Sequence, residues 1–377
     1  MPALYVVCLC SLIAAWVTLD VMLLRKFGNS LIGVGTFLSN VIFWRAGDGY
    51  FAESAELHPL LHTWSLAVEE QYYVLFPIFL FLSWRLGRTS VFWMIVGFAV
   101  ISLAISEWGW RNHPAANFYL APSRAWELLA GSISAFVVQK RGVQSSNLFS
   151  LIGFFAIIFA MLIYDEFTPF PSFYTLVPVL GVVLLILFAG KNTIVGRLLA
   201  TKVFVGIGLV SYSAYLWHQP LLAYTRLHLG SVDLEPFVIS SILLATGGLS
   251  YFTWKYVEAP FRSRQFLSAS SVLLLSVLAL SSLLCIGFIS RIAADGFEDR
   301  IARELASSDF VYFQNMDERK FNFARLGGQL KPFKTLVVGS SRLMEIDSSM
   351  LNMPVLNLSV SGASIEDHIA FSSEAIA

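Results

Sequence analysis

The sequence predicts an all-α polytopic membrane protein with about nine or ten transmembrane helices, followed by a partial α/β segment. Two observations predict the membrane part. First, 56% of the 377 residues are hydrophobic and only 13% are charged, against about 25% charged in soluble proteins. Second, apolar runs long enough to cross a bilayer recur along the chain. The tail differs, because 21 of the 50 charged residues lie in 291–377, which is typical of a soluble domain.

The composition also excludes some classes of protein. The formal net charge is zero, so the chain is not a polybasic nucleic-acid binder and we expect no nucleic-acid partner. The three cysteines, Cys8, Cys10 and Cys285, all lie in apolar runs. They form neither a disulfide framework nor a metal-ligand spacing, and we expect no metal.

A helix needs about 20 mostly apolar residues to cross the hydrocarbon core. The predicted spans are 3–24, 64–84, 91–108, 121–138, 147–163, 173–189, 203–226, 235–256 and 270–289. A tenth segment, 31–44, has only fourteen residues and contains two glycines, which is more typical of a re-entrant or interfacial segment. The predicted domains are a membrane domain at 1–290, a linker at 291–330 and the start of an α/β domain at 331–377.

Basic residues predict the orientation, because lysine- and arginine-rich loops stay on the cytoplasmic side. They cluster in alternate loops, at Arg85 and Arg88, at Lys140 and Arg141, from Lys191 to Lys202, and at Arg262 and Arg264. The intervening loops are poor in basic residues. We therefore predict that 45–63 and the tail after 289 both lie outside the cytoplasm.

The first candidate site is the run from His62 to Tyr73, which places ionisable groups in a predicted span. Such groups are costly in a membrane unless they are paired or hydrated, which favours a functional interpretation. His62, Glu69 and Tyr73 fall on one face of a helix, and the stripe could orient an acceptor hydroxyl or move its proton. The structural alternative is that Glu69 and Glu70 pair with arginines while His62 caps the helix.

The second candidate site is Arg124 with Glu127, at the predicted outer start of a span. Their spacing of three residues allows an ion pair on one helix face. An arginine near a helix end usually anchors the helix at the membrane surface. The anchor interpretation is favoured on this pattern alone.

The third candidate site lies deep in a predicted span. Ser211, Tyr215 and His218 are spaced by four and three residues and form a polar stripe. Pro220 frees a backbone carbonyl four residues earlier, which is common where a helix lines a cavity. For His218, an ordinary hydrogen bond between helices is as well supported as a site role.

The fourth candidate site lies at the predicted cytoplasmic end of a span. Lys255, Glu258 and Arg262 stand where they could meet an anionic cofactor from the cytosol. Pro260 is expected to end the helix. Anchoring at the membrane interface explains the neighbouring aromatic residues equally well.

The tail contains an apolar strand followed by Gly339-Ser340-Ser341. A serine at such a strand-to-helix turn could be an exposed nucleophile beside backbone N–H donors. A second strand from Val355 ends in a glycine loop at Gly362, as in an α/β layer. On this pattern alone, an ordinary turn is favoured.

Taken in order, the four membrane motifs resemble the acyltransferase-3 family of integral membrane O-acyltransferases, of the O-antigen and peptidoglycan O-acetylase type. The run His62-Thr-Trp64-Ser-Leu-Ala-Val-Glu69-Glu70-Gln-Tyr-Tyr73 is the most specific hallmark. From the residues and this resemblance we predict catalytic roles for His62, Glu69, Glu70 and His218. Binding roles are predicted for Trp64, Tyr73, Arg124, Glu127, Tyr215, Lys255, Glu258 and Arg262.

The tail resembles the start of an SGNH hydrolase-like domain with a flavodoxin-like fold. By that resemblance, Ser341 corresponds to the nucleophile and Gly362 to the glycine of the oxyanion hole. The sequence departs from the pattern in two places. Ser340 stands where an aspartate is usual, and Arg342 stands where a histidine is frequent.

The resemblance implies acyl transfer, typically of acetyl, from cytoplasmic acyl-CoA to a hydroxyl of a cell-envelope glycan. The acceptor would be lipopolysaccharide O-antigen or peptidoglycan, and the location a bacterial inner membrane with the tail in the periplasm or outside the cell. The expected partners are the acyl-CoA donor, the glycan and the lipid bilayer. No bound cofactor is expected.

Family members carry an arginine and a histidine on their first helix, and no counterpart is found here. The resemblance therefore implies that the chain lacks two helices at its start and most of the SGNH-like domain at its end. We expect this polypeptide alone to be inactive. Two alternatives stay open: a transporter, because polar stripes on broken helices also suit a substrate path, and a noncatalytic membrane remnant.

Overall fold

A computed structural model describes residues 2–46, 55–165, 167–262, 269–295, 318–326, 334–339, 348–351, 354–360 and 364–376. The chain divides into two compact units. The first contains Met1–Ile13 and Ser30–Cys285, and the second contains Ala14–Asn29 and Ile286–Ala377. The first unit holds every described residue of the four membrane motifs.

The membrane part is built from helices. They are α1 Pro2–Thr18, α2 Val21–Thr36, α3 Ser39–Ala46, α4 Thr63–Ser83, α5 Arg88–Asn112, α6 Pro114–Tyr119, α7 Ala121–Arg141, α8 Asn147–Ile163, α9 Leu176–Phe188, α10 Ile194–Leu199, α11 Lys202–Leu229, α12 Pro236–Thr253, α13 Ala259–Arg262 and α14 Ala269–Asp295. Short 3₁₀ turns lie at Ala55–Leu57, Trp84–Leu86 and Phe173–Thr175, and a π-helical segment at Trp254–Glu258 joins α12 to α13.

Within the described residues, four helical stretches are long and apolar enough to cross a membrane. They are Thr63–Leu86, Arg88–Asn112, Pro236–Arg262 and Ser270–Ala293. Shorter apolar helices lie at Pro2–Thr18, Asn147–Ile163 and Phe173–Phe188. The predicted all-α membrane fold is confirmed, while the count of nine or ten crossings stays a prediction.

The first predicted span, 3–24, is wrong as a single helix. Helix α1 ends at Thr18 and α2 begins at Val21. Asp20 Oδ1 accepts a hydrogen bond of 2.9 Å from the Leu23 backbone N–H. A carboxylate that satisfies a backbone donor of the next helix is a typical N-cap, so Asp20 starts a new helix inside the apolar run.

The predicted segment 31–44 is also divided. Helix α2 continues to Thr36, and Phe37 then adopts a left-handed conformation with φ of 58°. The Leu38 N–H donates to Gly33 O at 2.8 Å and the Phe37 N–H donates to Val34 O at 3.3 Å. This pair of bonds is the Schellman ending of a helix, and α3 starts after it.

Two helix contacts set the positions of the elements around the site. Val91 and Ile95 of α5 pack against Leu129 of α7, and the Tyr72 hydroxyl of α4 lies 2.6 Å from the Ser132 hydroxyl of α7. Helix α7 is therefore held against both α4 and α5. This contact brings the polar start of α7 beside the start of α4.

The helical stretch that begins with α12 continues past Pro260, so the prediction that Pro260 ends the helix is wrong. The π segment Trp254–Glu258 leads directly into α13, which contains Pro260 at its second position. A proline inside a helix cannot donate to the carbonyl of the preceding turn, and its ring crowds that turn. The wider π turn resets the helix register at this point, and π turns inside helices are frequent at functional sites.

In the second unit, the described part of the tail contains β1 Thr335–Val337 and β2 Val355–Asn357, with α15 Glu318–Leu326, α16 Ser348–Leu351 and α17 Ile365–Ile376. The strands pair in parallel, with Leu336 opposite Leu356. Leu356 and Leu358 form a small core with Phe371 of α17. The two predicted strands are present, and the SGNH-like identity of the tail stays a prediction.

Candidate functional site

The turn before α4 buries an imidazole. His62 directly precedes α4 and is 5% exposed, and Thr63 Oγ1 closes the turn with a 2.7 Å hydrogen bond to Leu60 O. His62 makes no capping hydrogen bond, and among the described residues neither ring nitrogen has a hydrogen-bond partner. Leaving a buried polar group unpaired costs about 1–3 kcal/mol. The position therefore favours a ligand that can pair with the ring.

Helix α11 brings two further polar rings to His62. The ring centroids of Tyr215 and His218 lie 5.3 Å and 5.6 Å from that of His62. The spacing of three residues puts both side chains on one face of α11. The Tyr215 hydroxyl donates to the His62 backbone carbonyl and also contacts the Ser65 hydroxyl. The predicted site residues His62, Tyr215 and His218 therefore form one cluster.

The protonation pattern of His218 follows from its partner. His218 Nδ1 lies 2.6 Å from the backbone carbonyl oxygen of Tyr215. A carbonyl can only accept, so Nδ1 carries a proton, and in the neutral form of the ring Nε2 is then the acceptor. The hydrogen bond thus selects the tautomer that can take a proton at Nε2.

Gln219 fixes the turn that carries His62. Its Nε2 donates to Glu56 O at 3.2 Å and to His58 O at 3.1 Å. The side chain is 8% exposed. Gln219 follows His218 directly, so α11 supplies one imidazole and also holds the turn that carries the other. We did not predict this role, and nothing in the residue spacing distinguishes Gln219 from an ordinary helix position.

Arg124 lies in an aromatic cage. Its Cζ atom is 5.0 Å from the Trp64 ring, 5.0 Å from the Phe118 ring and 4.4 Å from the Phe170 ring. Nη1 lies 3.2 Å from Glu127 Oε1, and Nε donates to Phe118 O at 3.1 Å. The predicted Arg124–Glu127 pair is present. The favoured anchor interpretation is wrong, because Arg124 is 5% exposed and does not extend to a surface.

The predicted stripe along α4 is only partly inward. Tyr73 is 58% exposed and does not join the cluster around His62. Glu70 lines a small cavity with Thr63 of α4 and Tyr212 of α11. The alternative in which arginines pair with Glu69 and Glu70 is not supported, since no such ion pair occurs among the described residues. Tyr73 has nearly the same angle about the helix axis as His62, but it lies about 16 Å farther along the helix, where its side chain is exposed.

Glu258 of the fourth motif is directed inward. Glu258 is 5% exposed, accepts a hydrogen bond from the Ser213 hydroxyl, and lies with Oε2 3.2 Å from Arg262 Nη2. The Lys255 ammonium lies over the rings of Tyr251 and Tyr256, at 5.6 Å and 5.4 Å. Lys255 and the exposed side of Arg262 are therefore accessible to an anion, whereas Glu258 is directed into the helix bundle.

Several predictions concern residues without a described position. Ser341 and Gly362, the predicted SGNH-like site residues, lie outside the described residues. Among the residues that are described, no group of three histidine, cysteine, aspartate or glutamate side chains could hold a metal ion. The structure thus brings together His62, Tyr215 and His218, with the Arg124 cage beside them through Trp64.

Residues 3–255 match the acyltransferase domain family. Peptidoglycan O-acetyltransferase OatA of Listeria monocytogenes is 26% identical over 289 residues, which is 71% of this chain and 45% of that relative. The putative peptidoglycan O-acetyltransferase YrhL of Bacillus subtilis is 25% identical over 291 residues, 72% of this chain and 45% of the relative. O-acetyltransferase OatA of Staphylococcus aureus is 25% identical over 245 residues, 61% of this chain and 40% of the relative. The chain spans less than half the length of these relatives, and no solved structure matches it.

Proposed function

The chain belongs to the acyltransferase domain family, and from that premise we propose that it is the membrane part of an O-acyltransferase. The enzyme transfers acetyl from acetyl-CoA to a hydroxyl of a cell-envelope glycan. Peptidoglycan is the favoured acceptor over lipopolysaccharide O-antigen, because the names of two relatives include peptidoglycan O-acetyltransferase. The names of these relatives do not favour the two alternatives, a transporter or a noncatalytic membrane remnant.

The observation that carries the proposal is the buried pair of imidazoles, His62 and His218, with ring centroids 5.6 Å apart. His218 has a free Nε2 acceptor, and His62 has two ring nitrogens without partners among the described residues. A neutral imidazole is the usual general base for activating a hydroxyl. The Tyr215 hydroxyl, which donates to the His62 carbonyl, holds the two helices in register.

The reaction balances as follows. An imidazole nitrogen takes the proton of the acceptor hydroxyl, and the hydroxyl oxygen bonds to the carbonyl carbon of the acetyl group. The carbon–sulfur bond of the thioester breaks, and the sulfur leaves as the CoA thiolate, which takes up a proton. If the acetyl group first passes to a side chain of the protein, each of the two transfers again replaces one proton of the acceptor group by one acetyl group.

The finer features belong to the same proposal. The protein lies in the inner membrane, with its basic loops in the cytoplasm and its tail outside. Lys255 and Arg262 meet the phosphates of acyl-CoA, and Trp64, Arg124 and Glu127 border the acceptor. The tail begins an SGNH-like domain in which Ser341 is the nucleophile and Gly362 the oxyanion glycine, supported by the parallel pairing of β1 and β2.

The test is His218→Ala at the chromosomal locus, with the O-acetyl content of isolated peptidoglycan as the readout. General base catalysis contributes about 100- to 10,000-fold, so we expect O-acetylation to fall to background at an unchanged protein level. His113→Ala is the matched control, since His113 is an exposed histidine on another helix end. Unchanged acetylation in His218→Ala contradicts the proposal. If membranes do not transfer label from acetyl-CoA to the glycan, the proposal that acetyl-CoA is the donor is contradicted.

A further inference from the structure

We propose that Glu69, Glu70 and Glu258, with the hydroxyls between them, form a proton path through the helix bundle. We call these three residues the carboxylate path. It carries the proton of the acceptor hydroxyl from the imidazole pair to the end of the bundle at Arg262. This inference rests on the proposed acyl transfer, because only that reaction supplies the proton.

The need for such a path follows from the balance of the reaction across a membrane. The acceptor hydroxyl loses its proton on the outer side, and the CoA thiolate gains a proton on the cytoplasmic side. The acyl group and the proton must therefore move in opposite directions. Without a path, each transfer leaves one proton outside and removes one from the cytoplasm, which separates charge across the membrane.

The outer end of the path is the imidazole pair. His62, at the start of α4, meets His218 in the second half of α11. Ser65 then contacts Tyr215 and Glu70 lies near Tyr212, so the two helices run in opposite directions. The hydroxyls of Tyr215 and Ser65 contact each other directly beside the rings. Ser65 lies on α4, one turn before Glu69, so the hydroxyl pair leads from the imidazoles toward the carboxylates.

The middle of the path lies between α4 and α11. Glu69 and Glu70 follow His62 by seven and eight residues, about 10–12 Å farther along the helix. Glu70 and Tyr212 line one cavity of about 20 Å³. A space of about 10–15 Å³ is enough for one water molecule, and a water there can bridge the carboxylate to the hydroxyl.

The inner end is formed by α11 and the π segment. Ser213, next to Tyr212, donates its hydroxyl hydrogen bond to the buried Glu258 carboxylate. Glu258 then pairs with Arg262, whose side chain is 62% exposed. The π segment ends at Glu258, so its extra-wide turn sets the direction of this carboxylate. The path thus reaches the end of the bundle that basic residues predict to be cytoplasmic.

Two residues of the carboxylate path, Glu69 and Glu70, differ from the structural carboxylates of this protein. Glu107 and Glu127 each form an ion pair with an arginine on their own helix. Glu69 and Glu70 are half-buried on a membrane helix without such a pair among the described residues. Chains of acidic and histidine side chains inside membrane proteins are characteristic of proton relays.

The experiment uses inside-out vesicles from cells that make the whole protein. Acetyl-CoA is added outside, where the cytoplasmic face is exposed, and the glycan acceptor is enclosed with a trapped pH dye. Acetyl transfer and lumen pH are followed together. For the unsubstituted protein, we expect transfer without acidification of the lumen. For Glu70→Gln, we expect transfer to fall about tenfold or more, with one proton released into the lumen for each residual transfer.

Formic acid, a small permeant weak acid, is then added to Glu70→Gln vesicles. It can carry protons around a broken path, so we expect transfer to recover, which a purely structural defect would not show. Glu258→Gln is the second variant and should behave alike. Glu107→Gln is the matched control, because Glu107 pairs with Arg111 on α5, and it should keep the unsubstituted rate.

Three outcomes overturn the inference: one lumen proton per acetyl group with the unsubstituted protein, an unchanged rate in both path variants, or a loss that formic acid does not restore. Equal thermal unfolding temperatures of the variants exclude a folding defect. Absence of any acetyl transfer by the unsubstituted protein overturns the proposed function, and the proton path with it. Transfer with lumen acidification overturns the proton path alone.

Discussion

Arg124 carries a positive charge at a position that is 5% exposed. Three aromatic rings, the Glu127 carboxylate and a backbone carbonyl surround the guanidinium in place of water. Its Nη2 is buried without a hydrogen-bond partner among the described residues. A guanidinium suits such a cage because it is planar, weakly hydrated and able to stack on rings while its edge donates hydrogen bonds. Its position on α7 is therefore fixed more tightly than that of an interfacial anchor.

Arg124→Lys tests this cage. A lysine keeps the charge but lacks the planar fork, so the rings and the Phe118 carbonyl lose their partner. We expect about 2 kcal/mol loss of stability, between the cost of a surface pair and that of a broken buried pair. Thermal unfolding in detergent measures it. The control is Arg111→Lys, where the arginine is 53% exposed. Equal shifts for both variants would contradict the cage.

Asp367 is the second residue whose environment predicts a measurable effect. Arg319 Nε and Nη2 donate to its carboxylate at 2.9 Å and 3.0 Å. Ser364 and Asp367 also exchange hydrogen bonds at the start of α17, as in a capping box. The Arg319 hydrogen bonds hold the pKa of Asp367 below its ordinary value of 3.8.

A lowered carboxyl pKa stabilises the folded state above the unfolded value and loses that contribution as the pH falls. We expect the backbone amides of α17 to stay protected from hydrogen exchange well above pH 3.8. As the pH falls from there through the lowered pKa of Asp367, the free energy of opening of α17 should fall by about 1 kcal/mol. In Asp367→Asn, α17 should already be less protected at neutral pH and should lack this acid-dependent step. Hydrogen exchange, corrected for intrinsic rates, is the measurement. If both proteins lose the same amount of protection in acid, that loss belongs to a titratable group other than Asp367.

At the scale of elements, helices α8 and α9 meet at two glycines. A Cβ atom on Gly153 would lie 2.7 Å from Gly181 O, and one on Gly181 would lie 2.8 Å from Gly153 O. Small residues at this contact let the two backbones approach closely, which is the common way to pack helices in membranes. The hydropathy of each helix predicts its existence, but their mutual contact depends on which faces meet.

Gly153→Ala should therefore destabilise the α8–α9 hairpin by about 1–3 kcal/mol through overpacking. The matched control is Gly97→Ala on α5, where an added Cβ would meet nothing within 4 Å. In that open position alanine should be neutral or slightly stabilising, since it favours helix. The unfolding temperatures of the two variants, measured in detergent, show whether the added methyl group destabilises Gly153→Ala and not Gly97→Ala. A smaller effect at Gly153 than at Gly97 would mean that the helices do not meet there.

At the scale of the whole molecule, the charges of the loops predict one orientation. His62 and His218 come from helices of opposite direction yet lie side by side. The loop charges predict that the start of α4 and the end of α11 lie on the same outer side, which is consistent with this contact. The same alternation predicts an outward tail.

A topology reporter tests this orientation. A phosphatase fused after residue 300 should be active, because that enzyme works only outside the cytoplasm. The same reporter after residue 87, in the loop with Arg85 and Arg88, should be inactive. The reverse pattern would invert the predicted orientation and place the imidazole pair on the cytoplasmic side.

The sequence by itself determined the all-α membrane fold and the residue types of the site. These follow from composition and local pattern, because apolar length and buried polar residues are properties of single segments. It also predicted the Arg124–Glu127 pair, whose members are three residues apart on one helix. It missed the breaks at Asp20 and Phe37, since both lie inside continuous apolar runs.

Only the tertiary structure decided which polar residues act together. Tyr73 shares a helix with His62 but is exposed, whereas His218 lies far along the chain and contacts it. Helix spacing gives the angle of a side chain about its own axis. It does not give which neighbouring helix covers that face. The imidazole pair, the role of Gln219 and the inward turn of Glu258 therefore arise from how α4, α11 and the π segment pack.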